Sequence, residues 1–201
     1  MQNTLDYYKN NAKSLAKRYE SADVSNIQNL LLEVFPKKSY LLEIGCGSGR
    51  DANFMIKNKY KVLGIDASTE MINEAKTIHQ LLKNSLQVTV IPNELNFKNK
   101  FDGVYSIATL MHLKKDDIDT TIEKIYDSLK VQGVFLFSVS IQRDDINSNF
   151  KDSNGRHFTT INQNTWLSIC NEKGFKTIKA MTTSDGLNRD GIVWLTCVME
   201  K

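Results

Sequence analysis

Glycines at 45, 47 and 49 punctuate the run Leu42-Glu43-Ile44-Gly45-Cys46-Gly47-Ser48-Gly49-Arg50-Asp51. A short apolar stretch (Tyr40, Leu41, Leu42, Ile44) leads into it and a helix-compatible one follows. The pattern predicts a strand, a tight turn and a helix N-terminus, which brings bare backbone against a nucleotide-like ligand. Glycine suits such a turn because a side chain would block the approach and because the turn uses conformations other residues resist. A dinucleotide fingerprint would place its third glycine at position 50, which is Arg50. The spacing therefore speaks against a nicotinamide dinucleotide.

The elements that must carry this turn follow from hydrophobic periodicity. Leu5, Tyr8, Ala12, Leu15 and Tyr19 recur at helical steps, and a second helix carries Ile27, Leu30, Leu31 and Val34 up to Pro36. From Tyr40 the pattern alternates: strand 40–45, helix 50–58, strand 61–66, helix 69–82, strands 86–91 and 102–108, helix 116–130 capped by Asp116 or Asp117, strand 133–140. Residues 141–157 are polar and predict a loop or lid. A helix near 163–173 ends at Gly174, and two strands, 175–183 and 191–199, are joined by Ser184-Asp185-Gly186-Leu187-Asn188-Arg189-Asp190. The expectation is an α/β, Rossmann-like, seven-stranded and mainly parallel sheet with a C-terminal antiparallel hairpin and helices on both faces. It forms a single domain over 1–201, with 1–36 as a helical cap and 141–160 as a substrate-side loop.

Composition bounds the function. The net charge of +3 and the absence of a basic block argue against a nucleic-acid partner. Cys46, Cys170 and Cys197 are scattered and make no metal-ligand spacing, so a reduced, cytoplasmic setting is expected and no metal. The polar start (Gln2, Asn3, Asp6, Lys9) does not read as a signal peptide, and no apolar run nears the ~20 residues of a membrane span.

The motifs together resemble the class I S-adenosylmethionine-dependent methyltransferases, in particular the small stand-alone bacterial type 11 and 12 domains. The resemblance is carried by residues 42–49, Val62-Leu63-Gly64-Ile65-Asp66-Ala67-Ser68 with Met71, Phe101-Asp102-Gly103-Val104-Tyr105-Ser106, and Leu129 with Gly133-Val134-Phe135. It implies S-adenosylmethionine as cofactor, S-adenosylhomocysteine as product and a small-molecule acceptor. Glu43, Gly45, Cys46, Gly47 and Gly49 would face the methionine end. Asp66 would bind the ribose hydroxyls, followed by Ala67, with Met71 against adenine or simply in the core. Ser106 would also face the cofactor, and Ile107 and Ala108 would wall the sulfonium. Asp51 is explained by the helix dipole.

Two positions depart from the family. Where an acidic residue and a backbone N–H usually read adenine, this chain has Ile91 and Pro92, which lacks an N–H. A shifted loop would offer Asn93 or Glu94 instead. Val131-Gln132-Gly133 replaces the usual Pro-Gly-Gly.

On the acceptor side His112 is a candidate general base or a loop brace, with His157 as a second candidate. Arg156, Phe158 and Arg189 would close over the substrate, and Tyr8 and Tyr19 would serve as lid or as core. Two further readings stay open. The tail from Arg156 to Trp194 faintly resembles tRNA wobble-uridine methyltransferases. Ile91-Pro92 would suit a non-catalytic cofactor-binding regulator.

Overall fold

A computed structural model describes residues 2–186 and 189–201; Met1, and Leu187 and Asn188 of the joint between the last strands, lie outside the described residues. Two helices, α1 (Gln2–Glu20) and α2 (Ser25–Val34), precede the alternating part. There follow β1 (Tyr40–Ile44), α3 (Arg50–Lys57), β2 (Lys61–Asp66), α4 (Thr69–Ile78), β3 (Leu86–Val88), β4 (Phe101–Ile107), α5 (Lys115–Ser128) and β5 (Leu129–Arg143). The chain ends with α6 (Gln163–Glu172), β6 (Lys176–Ser184) and β7 (Ile192–Glu200). The strands form one sheet in the order β3-β2-β1-β4-β5-β7-β6. The pairings from β3 to β5 are parallel, and β7 runs antiparallel to both β5 and β6. Parallel register puts the carboxyl ends of β1, β2 and β4 on one edge, where ligands of such sheets bind.

Alternation along the strands feeds two apolar layers. Leu42, Ile44, Val104, Phe135 and Phe137 pack with Ile118, Ile122 and Ile125 of α5 and Trp166 of α6. Leu41, Tyr105 and Leu136 pack on the other face with Leu31 of α2, Ala52 and Met55 of α3, and Ile72 and Ala75 of α4. A third patch joins α1 to α4 through Ala12, Leu15 and fully buried Met71, with Tyr7, Tyr8 and Tyr19 beside them. Among the described residues no helix is long and apolar enough to cross a membrane.

Several boundaries differ from the sequence expectation for local reasons. β3 stops at Val88 because the chain turns back: Glu94 N donates to Val90 O at 2.9 Å, and the Glu94 carboxylate accepts from Val90 N at 2.7 Å. The helix expected to run to 82 ends at Ile78, and a 3₁₀ turn covers Gln80–Leu82. Neither Asp116 nor Asp117 caps α5; the helix starts at Lys115 after Lys114, with both aspartates in the first turn, where the dipole favours them. β5 extends to Arg143, so residues 141–143 are strand rather than loop, paired to Val193 and Ile192. Gln132 takes a φ of 62° in the turn where the family places glycine.

Gly103 shows how tightly α2 sits on the sheet. A Cβ there would lie 2.4 Å from Phe35 Cε1 and 2.9 Å from Leu41 Cδ2. Gly103→Ala is expected to cost about 1–3 kcal/mol by overpacking, read as a lower urea midpoint with an unchanged denaturant slope.

Candidate active site

The glycine turn is pinned from both sides. Gly45 N and Cys46 N both donate to Ile65 O, at 2.8 and 3.0 Å, tying the end of β1 to β2. Gly45 has a φ of 74°, and a Cβ there would fall 2.1 Å from Thr109 Oγ1. Gly47 differs: its Cβ direction meets only Met71 Cε and Tyr19 Cδ2, at 3.7 Å each. Its backbone therefore lies against α1 and α4 without the clash found at Gly45. Gly47 N donates to Asp66 Oδ2 at 3.0 Å, and Ser68 N donates to Asp66 Oδ1 at 2.9 Å. Burial raises the Asp66 carboxyl above its usual range while these backbone donors hold it down. Ser68 caps α4, its hydroxyl accepting from Met71 N, which leaves Asp66 for the turn. The Cys46 thiol is buried against Gly64, and burial pushes its pKa up, so it stays neutral.

Beneath the turn lies a buried charge cluster. Glu43 is 3% exposed and points to the same side of the sheet as Tyr105, whose hydroxyl donates to Oε2 at 3.3 Å. Burial, then the charge of Asp51, raises the Glu43 carboxyl well above its usual value. Asp51 is gripped by Arg50 through Nε at 3.1 Å and Nη2 at 2.7 Å, and by Gln28 Nε2 of α2 at 3.0 Å. Arg50 Nη1 donates to Tyr19 O of α1 at 2.9 Å. Asp51 thus joins three helices, a role that the dipole argument did not reveal. Glu20 adds a second clasp, accepting from Ser48 Oγ at 2.7 Å and meeting His79 Nε2 at 3.1 Å. The Ser106 hydroxyl donates to Ile44 O at 3.1 Å, so it braces β1.

At the end of β4, Ala108 takes a φ of 57° and turns the chain into the 3₁₀ segment Leu110–His112. His112 Nδ1 lies 2.7 Å from His157 O, and a carbonyl can only accept, so Nδ1 carries the proton. Nε2 is then the lone-pair nitrogen, and the Tyr8 hydroxyl of α1 donates to it at 3.2 Å. The ring lies 4.5 Å from Phe158. Burial, reinforced by the cations Arg156 and Arg143, lowers the His112 pKa to about 4. Burial also raises the Tyr8 pKa well above that of a free phenol.

The other acceptor-side residues divide. Phe158 is 1% exposed, so it is a floor of the site and not a mobile lid. Arg156 is held by Asp152 Oδ2 at 2.8 and 2.6 Å and reaches toward Tyr7. The His157 ring turns away from His112 to Thr159 Oγ1 at 2.9 Å; its contribution is the carbonyl, and its N–H donates to Thr4 Oγ1 at 2.9 Å. Arg189 lies on the β6–β7 joint, 43% exposed and paired with Asp185, which also accepts from Trp194 Nε1. Arg143 and Asp152 were not anticipated: a polar residue ending an apolar strand gives no signal of its own. Ile107 is half-buried beside Ala108, and Ala67 lines a cavity of about 250 Å³ with Leu5, Asp6, Lys9, Ser68, Thr69 and Glu70, between α1 and the start of α4. Ile91 and Pro92 are buried, and the Glu94 carboxylate is engaged with Val90.

Residues 15–180 match a family model described as a methyltransferase domain. The chain is 32% identical over 137 residues to malonyl-(acyl-carrier protein) O-methyltransferase of Priestia megaterium, covering 67% of this chain and 46% of that protein. It spans about half the length of the curated relatives it matches. Among solved structures, it aligns over 98% of its length, with a TM-score of 0.78 and 17% identity, to 96% of a chain in the complex of the Haloferax volcanii Trm112 methyltransferase activator with a candidate methyltransferase. It also aligns over 92% of its length, with a TM-score of 0.68 and 20% identity, to 78% of 1,6-didemethyltoxoflavin-N1-methyltransferase of Burkholderia thailandensis, solved with that compound and S-adenosylhomocysteine bound.

The two buried titratable groups should move stability with pH in opposite senses. The unfolded chain takes a proton on His112 below about 6.5 that the folded protein refuses down to about 4, so stability falls as pH falls through that window. His112→Asn should flatten that part of a urea-midpoint profile. Glu43, with its folded pKa raised, makes the fold lose stability as pH rises above the ordinary glutamate value of about 4.3. Glu43→Gln should therefore gain on the wild type as pH increases.

Proposed function

Because the chain belongs to the class I S-adenosylmethionine-dependent methyltransferase family, we propose that it catalyses methyl transfer to a small organic acceptor by in-line displacement. The observation that carries the acceptor assignment is the His112–Tyr8 pair. It sits half-buried at the carboxyl end of β4, beside Phe158 and covered by α1, where a small group rather than a polymer would fit under the helix. The residues around the glycine turn fit the cofactor. At Gly47 a Cβ would meet Met71 and Tyr19 at ordinary contact distance without a clash, and the half-buried Asp66 carboxylate stands at the end of β2. Beside it, Thr89 Oγ1 is buried with no hydrogen-bond partner among the described residues, although Thr89 N donates to Asp66 O at 2.9 Å.

When bound, S-adenosylmethionine supplies an already activated methyl group. What remains for the protein is alignment, and orientation in a closed site can provide several orders of magnitude of rate. His112 serves that alignment. A conjugate-acid pKa of about 4 makes Nε2 a poor general base at neutral pH, and an effective base titrates near the working pH. Its lone pair instead accepts a hydrogen bond and fixes the direction of an X–H group, as it does with Tyr8. Asp66 holds the sugar end by charge-assisted bonds. Glu43, kept neutral by burial, lets the turn approach a carboxylate-bearing ligand without repulsion.

To the likeness of the Arg156–Trp194 tail, the RNA reading adds the exposed lysines Lys9, Lys13 and Lys17 spaced by four along α1. The two readings separate when methyl-labelled S-adenosylmethionine is incubated with a small-molecule extract and, in parallel, with bulk tRNA. Label is expected in the small-molecule fraction; label confined to RNA would overturn the proposal. By calorimetry, Asp66→Ala should weaken S-adenosylhomocysteine binding at least about tenfold, the loss of one or two charge-assisted hydrogen bonds.

A further inference from the structure

A sugar held on Asp66 can turn its base toward one of two places. β3 lies alongside β2, with Val88 opposite Asp66 in the register, so the loop after β3 is one of them. The other is the cavity of about 250 Å³ that opens directly after Asp66, lined by Ala67, Thr69 and Glu70 on one side and by Leu5, Asp6 and Lys9 of α1 on the other.

The polar groups of the loop are committed elsewhere. Ile91 is apolar and buried, and Pro92 has no N–H. The Glu94 carboxylate accepts from Val90 N at 2.7 Å. Lys124 Nζ of α5 donates to Pro92 O at 2.9 Å and to Asn96 Oδ1 at 3.1 Å, which turns that side of the loop toward α5. Thr89 Oγ1 is left, buried and with no partner among the described residues. A hydroxyl donates as readily as it accepts, so on its own it does not tell an amino edge from a carbonyl edge.

The cavity is built differently. Leu5 and Ala67 bring it apolar surface from two separate elements, which suits the faces of a flat ring. Its volume of about 250 Å³ falls below the roughly 300 Å³ at which small-molecule sites usually begin, a size for one ring system rather than for a whole cofactor. Glu70 supplies the acceptor: Ser68 Oγ donates to its Oε2 at 3.3 Å, and Oε1 makes no hydrogen bond among the described residues. The helix dipole by itself accounts for a carboxylate in the first turn of α4. It does not account for the opening beside it. One residue further on, the seam between α1 and α4 is tightly packed, with Met71 fully buried against Ala12 and Leu15. Leu5, Asp6 and Lys9 precede the residues matched by the family model, so the family pattern does not include this wall.

We infer that the adenine of the cofactor is read in this cavity, its amino group donating to Glu70 and its ring lying between Leu5 and Ala67, and not in the loop after β3. The inference rests on the methyltransferase reading given above and on Asp66 as the sugar-binding acid. The acidic acceptor for the amino group has moved in this chain from the end of β3 to the start of α4, and α1 supplies one wall of the base site. An ionised carboxylate only accepts, so it favours an amino edge and opposes a carbonyl one.

The test is calorimetry with S-adenosylhomocysteine and S-inosylhomocysteine, which carry an amino group and a carbonyl at the same ring position. The wild type is expected to bind the adenosine ligand about tenfold or more tightly, as a site built to receive an N–H group does. Glu70→Gln, whose amide donates as well as accepts, should bring the two affinities to within about threefold. Leu5→Trp fills the cavity and should weaken both ligands at least about tenfold. Thr89→Val should leave the preference standing. Equal affinities in the wild type, a preference untouched in Glu70→Gln, full affinity in Leu5→Trp, or a preference lost in Thr89→Val would overturn the inference. Should Leu5→Trp fail to fold, Glu70→Gln decides. Failure of both ligands to bind the wild type would bring down the underlying methyltransferase reading first, and this inference with it.

Discussion

The Asp66 carboxylate is the point on which the site depends. A parallel sheet leaves unpaired backbone amides where its strands end, and the turn after β1 has no further sheet partner. Asp66 accepts from Gly47 N on one oxygen and from Ser68 N on the other. One side chain therefore shapes the glycine turn and the entry to α4. With Ile65 O taking both Gly45 N and Cys46 N, the ends of β1 and β2 become a single rigid edge. A ligand approaching that edge meets backbone already ordered by these bonds, with little ordering cost left to meet on binding.

Charged side chains are packed under the turn. Glu43, Asp51, Arg50, Tyr105 and Gln28 form a nearly dry cluster in which two carboxyl groups compete for one cation. Arg50 and Gln28 go to Asp51, and Glu43 is driven toward its neutral form by burial and by its neighbour. This is the usual outcome when like charges are confined together. It also explains why Arg50 stands where a dinucleotide site needs glycine: its side chain clamps Asp51 and reaches the Tyr19 carbonyl.

Legibility in the sequence followed the range of the interactions involved. The strand, turn and helix around Gly45–Gly49, the acid at 66 and the strand alternation are local patterns with a period, and they were readable. Ser68 as a cap was readable for the same reason. Arg143 was not: Gln142-Arg143 after an apolar run looks like the start of a loop, and its burial depends on Phe158, which arrives from the far side of that loop. β3 was overlong in the reading because the Glu94 carboxylate takes the Val90 amide, a side-chain event invisible to periodicity. At His157 it is the carbonyl that meets His112 while the ring turns to Thr159, a distinction that sequence does not carry. Asp51 was explained too cheaply, because its partner Gln28 lies on another helix.

Helix α1 connects the two halves of the site. Near its C-terminus, Tyr19 O meets Arg50, and Glu20 meets Ser48 and His79, all around the glycine turn. Nearer its N-terminus, Tyr8 meets His112 and Thr4 meets the backbone of His157, both on the acceptor side. Thr4 and Tyr8 lie outside the residues matched by the family model. At 1.5 Å per residue these contact points are separated by roughly 20 Å of one continuous helix. One continuous helix therefore packs against both the end of β4, through Tyr8 and Thr4, and the glycine turn, through Tyr19 and Glu20, so that a single element of secondary structure fixes the spacing of the two.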